Sequence, residues 1–176
     1  MRSAPPPQSL LDRLAELDDE YRLSRAERIM TAGRYSNLPP AIMGRTETLH
    51  LLEETRLVYV NGHFAASLML AVSVIEHCLV EECQLRGLFK ESPPLSTVLK
   101  LANTHSVLPA EWFPELELLV KRRNPLAHLK RADHAHGLSH RMLKEKRHPY
   151  AILEQDAETA IMYMYRVFNA TLREAA

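Results

Sequence analysis

Leu10, Leu14, Leu17 and Tyr21 recur at spacings of three and four, the repeat of one helical face. The pattern predicts a first helix from about residue 9 into the low thirties. Ser9 and Asp12 form an acidic variant of the capping box at its start. Asn37-Leu38-Pro39-Pro40 breaks it. A second helix is expected over 46–60, with Leu49, Leu52, Arg56, Tyr59 and Val60 bracketing its inward side, and Asn61-Gly62 makes the turn. Residues 63–86 are apolar on nearly every side (Ala65, Leu68, Met69, Ala71, Val72, Ile75, Leu79), as the central helix of a bundle is. Pro93-Pro94 introduces a short helix over 95–105, and a second short one carries Trp112, Phe113, Leu116, Leu119 and Val120. After an irregular stretch, 152–172 closes the fold with Ala157, Ile161, Met164, Val167 or Phe168, and Leu172 on one stripe. No strand pattern and no internal repeat is present. The expected architecture is all-α, an antiparallel up-and-down bundle over 45–174 with an added N-terminal helix at 9–36 and a disordered tail at 1–8.

Composition agrees with that architecture. Glycine occurs five times in 176 residues, too seldom for the many tight turns of an all-β domain. The 46% hydrophobic and 25% charged residues suit one globular domain. No run of 18 apolar residues occurs, so no membrane span is expected, and the start lacks the apolar stretch of a secretory signal. Cys78 and Cys83, five apart on a helix, do not share a face and read as free thiols of a reducing, cytoplasmic compartment.

Charge changes the picture. Residues 1–120 hold 11 Lys and Arg against 16 Asp and Glu, whereas 121–148 hold 9 against 2 and five of the nine histidines. A basic block in an otherwise acidic chain suits an anionic partner, nucleic acid foremost, or equally a solvated loop. Inside it, Asn124-Pro125 has the form of a helix start, with Asn as cap and Pro as first residue. That reading makes His128 the fourth helical residue and brings it beside Arg123. Free backbone N–H groups there would favour a phosphate, and the dipole would keep His128 neutral enough to accept a proton. An arginine for phosphate charge and a neutral imidazole are a minimal kit for phosphodiester attack. The spacing alone is weak, since it recurs at Arg45/His50 and Arg131/His136, and chance supplies about one such pair. The bland alternative has Arg123 pairing a carboxylate and His128 packing under the last helix.

Arg123-Asn124-Pro125-Leu126-Ala127-His128 resembles the signature of HEPN domains. The stretch from Val60-Asn61-Gly62-His63 through Val74-Ile75-Glu76 is similar to that family's first helical hairpin, a Gly turn leading into an alanine-rich central helix with a glutamate. The resemblance covers about 45–172. It implies a four-to-five-helix bundle that dimerises to bring two motifs into one cleft, and a metal-independent endoribonuclease, as many toxins and antiviral effectors are. His128 would then act on the ribose 2′-OH or the leaving oxygen, Arg123 would hold the scissile phosphate, and Asn124 would orient the pair, leaving a 2′,3′-cyclic phosphate. Glu76 would support them, although the position four residues on, where some members carry a basic partner, is Val80. No cofactor is implied. An antitoxin such as a small nucleotidyltransferase would be a natural partner.

Lys121, Arg122, Lys130 and Arg131 are the expected contacts to RNA phosphates. The histidine-rich insert at 129–150 is longer than the resemblance requires. His136 and His140, four apart with His128 and His134 near in sequence, raise a metal site as a rival, with Asp133 the only carboxylate close by. The other rival is a non-catalytic module that binds RNA or a protein and dimerises.

Overall fold

The computed structural model describes residues 7–36, 45–91, 93–131 and 133–172. Residues 1–6 of the expected tail and the Asn37–Pro40 break lie outside them. Among the described residues there are seven α-helices, one 3-10 turn and no strand. They are α1 (Gln8–Tyr35), α2 (Thr46–Val60), α3 (Phe64–Leu85), α4 (Leu95–Thr104), the turn Ala110–Trp112, α5 (Phe113–Ala127), α6 (Leu138–Glu145) and α7 (Pro149–Thr171).

Side-chain pairs fix the directions. Phe64 packs on Tyr150, and Cys78 reaches Thr171, so α3 and α7 run the same way. Thr48 meets His77 across the α2–α3 hairpin. Trp112 meets Tyr163 while Arg122 meets Asp156, which makes α5 antiparallel to α7. Arg28 meets Glu154 and Tyr35 meets Glu158, so α1 follows α7. The chain thus goes down, up, down, up and down through α1, α2, α3, α5 and α7, the expected up-and-down order. α3 is at the centre, packed on α2, α4, α5 and α7. By length and composition it is the one described helix that would cross a membrane, but Leu68, Ala71, Val72, Val74, Ile75 and Leu79 are buried in the bundle core.

Local chemistry sets the ends. α1 begins at Gln8 after extended Pro7, with no side-chain cap, so Ser9 lies inside the first turn instead of capping it. Asn61-Gly62 closes α2, with Gly62 at φ +79°, where a Cβ would stand 2.9 Å from the Tyr150 hydroxyl. At that corner Arg28, 8% exposed, donates to the Val60 carbonyl at 2.9 Å and lies over the Phe64 ring.

Two expectations fail in the basic window. Asn124 and Pro125 do not open a helix; they lie in the last turn of α5, with His128 as its C-cap donating its N–H to the Asn124 carbonyl at 2.9 Å. Leu126, packed against the core, carries the helix through Pro125, and near a C-terminus the proline forfeits one intrahelical bond. The cap-and-proline start occurs instead at His148-Pro149, where the imidazole Nδ1 accepts from the Tyr150 N–H at 3.2 Å. Nor is the window irregular throughout, since it holds the end of α5 and all of α6.

Candidate functional site

Arg123 and Glu76 come together, Nη2 to Oε2 3.7 Å, across the junction of α5 with α3. The Arg123 side chain is 21% exposed, so it meets a carboxylate while staying partly in contact with solvent. Asn124 is partly exposed beside it, and His128 is exposed on extended backbone (φ −138°, ψ 128°). His128 therefore does not pack under α7. The helix end near it is the carbonyl end, so the helix-start arguments for a bound phosphate and a neutral imidazole do not apply.

Next to this pair lies an open cleft of about 500 Å³ lined by Arg45, Glu47, Thr48, Glu76, His77 and Glu81, among others. Thr48 Oγ1 and His77 Nδ1 are 3.3 Å apart, and Arg45 pairs with Glu81 at 3.6 Å. Glu76 thus belongs to both the cleft and the arginine. Read in the sequence as residues of a core helix and its hairpin neighbour, His77 and Thr48 carry no motif that marks them.

The four basic residues expected on phosphates part company. Lys121, Lys130 and Arg131 are exposed, with Lys121 3.8 Å from Glu117 and Arg131 3.3 Å from Asp133. Arg122 instead turns inward, 3.0 Å from Asp156 and 3.8 Å from Glu115. Asp156 is 1% exposed and also takes a bidentate pair from Arg141, which reaches Glu145 at 3.0 Å as well. Burial works against the Arg141 charge, and the bonds to Asp156 and Glu145 outweigh it, so its pKa is raised. One buried carboxylate therefore clips α6 to α5 and α7 and anchors the turn of α5 that carries Arg123. The signal was present: Asp156 stands four residues after Ile152 on the core stripe of α7, where an acid demands a basic partner.

The histidine insert is docked through α6, where Arg141 is buried. His136 is partly buried, and burial first, then the charges of His134, Lys121, Arg122 and Arg141, lower its pKa. It precedes the first residue of α6, so it does not share a helical face with His140. Among the described residues no three His, Cys, Asp or Glu side chains gather as a metal-ligand group. Cys78 and Cys83 are free and buried.

Chemically, each chain offers one partly exposed guanidinium held by a carboxylate, one exposed imidazole a few residues on, and a polar cleft alongside. Compared with known proteins, the chain matches no family model, no curated sequence and no solved structure.

Proposed function

We propose that this chain is a HEPN-like, metal-independent endoribonuclease acting as a homodimer, in the role of a toxin or antiviral effector. The observation that carries the reading is the Glu76–Arg123 pair. It joins the two segments on which the resemblance rests, the alanine-rich helix after the Gly turn and the Arg-to-His motif. In the reaction the 2′-OH loses its proton, a 2′-O–P bond forms, the P–O5′ bond breaks, and O5′ takes up a proton. Arg123 holds the phosphate, exchanging part of its contact with Glu76 for the phosphate oxygens, while Asn124 keeps the turn in place. Two proton transfers call for two imidazoles, and a chain brings one His128. The dimer therefore sets two motifs within about 15 Å, one nucleotide's reach. Lys121, Lys130 and Arg131 extend the positive surface for RNA.

A second reading, a non-catalytic RNA- or protein-binding module, draws on the same pair: a guanidinium already facing a carboxylate has a structural task. The two separate in one experiment. Purified protein is incubated with total RNA plus chelator, and fragments ending in cyclic phosphate are counted. His128→Ala should reduce cleavage about 100-fold or more while folding and binding persist, since the side chain is exposed. Arg123→Ala should lose cleavage and some affinity. His50→Ala and His136→Ala, the other spacing matches, should keep activity. RNA bound without fragments would favour the module.

A further inference from the structure

The first helix is half docked. Twenty-eight residues make α1 about 42 Å long. Its inward stripe runs Leu10, Leu14, Leu17, Tyr21, Ser24, Arg28, Thr31, Tyr35, a spacing of four and three sustained throughout. From Arg28 onward that stripe is covered by the bundle, with Arg28 8% exposed and Thr31 and Tyr35 partly buried. Before Ser24 the same stripe is far more open: Leu10 is 48% exposed, Leu14 49% and Tyr21 51%, with Leu17 partly buried between them and Tyr21 at the rim of the bundle. An apolar seam that continues past its own bundle asks for a second helix.

We infer that the projecting half of α1 is a self-pairing arm that binds the same arm of a second copy, antiparallel about a two-fold axis between Ala15 and Glu16. With that axis Leu14 meets Leu17 of the second copy and Leu10 meets its Tyr21, so both ends of the seam are filled by apolar pairs. Arg13 on one flank comes opposite Glu20 of the second copy, twice by symmetry. The helix of the second copy starts at Gln8 beside Leu23, one residue before the stripe enters its own bundle. Its first turn falls on a cleft of about 390 Å³ lined by Tyr21, Arg25, Asn61, His63 and Tyr150, which Leu10 and Leu11 of the second copy would enter. A parallel partner is excluded sterically, because it would run into the bundle that already covers the stripe from Arg28 on.

This interface is separate from the proposed cleavage cleft. The arm leaves at the Asn61-Gly62 end, whereas Glu76 is twelve residues into α3, about 18 Å away along the helix. Arm pairing keeps the two Arg123 motifs apart. Combined with a motif-to-motif dimer it supplies a second two-fold axis, so the full chain assembles as a tetramer or as an open string of dimers.

Light scattering on the full chain tests this. Leu14→Glu/Leu17→Glu should lower the parent's mass at least twofold at equal concentration, with cooperative unfolding of the bundle kept because neither position belongs to the buried core. Arg13→Glu should weaken association about tenfold, and Arg13→Glu/Glu20→Arg should restore it. Mixed Leu14→Cys and Leu17→Cys chains should cross-link to each other faster than either does to itself. A monomeric parent, an unchanged mass in the double-Glu variant, or rapid Leu14→Cys self-cross-linking would each overturn the arm. None of these readouts depends on RNA cleavage, and His128→Ala should leave all of them as they are.

Discussion

Asp156→Asn removes one negative charge from a site closed to water. In the folded protein that carboxylate takes two hydrogen bonds from Arg141 and pairs with Arg122, whose side chains are 10% and 20% exposed. Without the charge, two guanidiniums face each other with a neutral amide between them. Breaking one side of a buried pair costs about 3–5 kcal/mol. The lower end applies here, since Arg122 keeps Glu115 and Arg141 keeps Glu145. A loss of about 3 kcal/mol, at roughly 2–4 °C of Tm per kcal/mol for a chain of this size, places the midpoint about 6–12 °C lower. Urea unfolding followed by circular dichroism measures the total, and amide exchange locates it, with α6 losing protection first. The double replacement Arg141→Met/Asp156→Leu should recover most of the stability, because an apolar pair of similar volume needs no desolvated charges. An Asp156→Asn cost below about 1 kcal/mol with α6 still protected would refute the clip.

Three smaller expectations follow from other corners. Gly62→Ala should cost about 1–3 kcal/mol, combining a positive φ with a 2.9 Å approach to the Tyr150 hydroxyl; Tyr150→Phe in the same chain should return part of it in a melting assay. The Cys78 thiol is pushed up to about 12, chiefly by burial, so thiol reagents at pH 8 should leave it unmodified until denaturant unfolds the bundle. His136 has a lowered pKa, so the neutral ring stabilises the docked insert above its unfolded value of about 6.5, and that contribution is lost as pH falls below it. Relative to the intrinsic exchange rate, amide protection in α6 should fall as pH drops below that value, and His136→Gln should flatten the response.

How much of this was legible depended on whether local and tertiary signals agreed. At α2 they did: the apolar spacing stops where Asn61-Gly62 turns the chain, and the helix has the expected bounds. The stripes of α3 and α7 were readable for the same reason: α3 is one residue shorter at each end than expected, and α7 starts three residues earlier, at Pro149. At Asn124-Pro125 they disagreed. The dipeptide is a good local start, but Leu126 has a place in the core, and burying it draws α5 onward to Ala127. The same error made the window look irregular and gave His128 the wrong helix end. Arg123 with Glu76 was reachable from the resemblance alone, since no periodicity links residues 47 apart. The Arg122–Asp156–Arg141 clip was hidden differently. Each residue is ordinary by itself, and only the acid on a core stripe hinted that two of the window's cations were committed to the interior.

The central position of α3 has a consequence for the order of events in synthesis. Phe64 waits for Tyr150, a partner 86 residues later, and at 5–20 residues per second that interval is about 4–17 s. α2 precedes α3 and can close the hairpin at once. The side of α3 that α7 will cover has no local substitute, so the most apolar helix of the chain stays open along one flank until residue 171 has been made. The bundle is thus a late-closing fold, assembled by its last strut, and its exposure to aggregation is set by translation speed over 86–171 more than by the stability of the finished core.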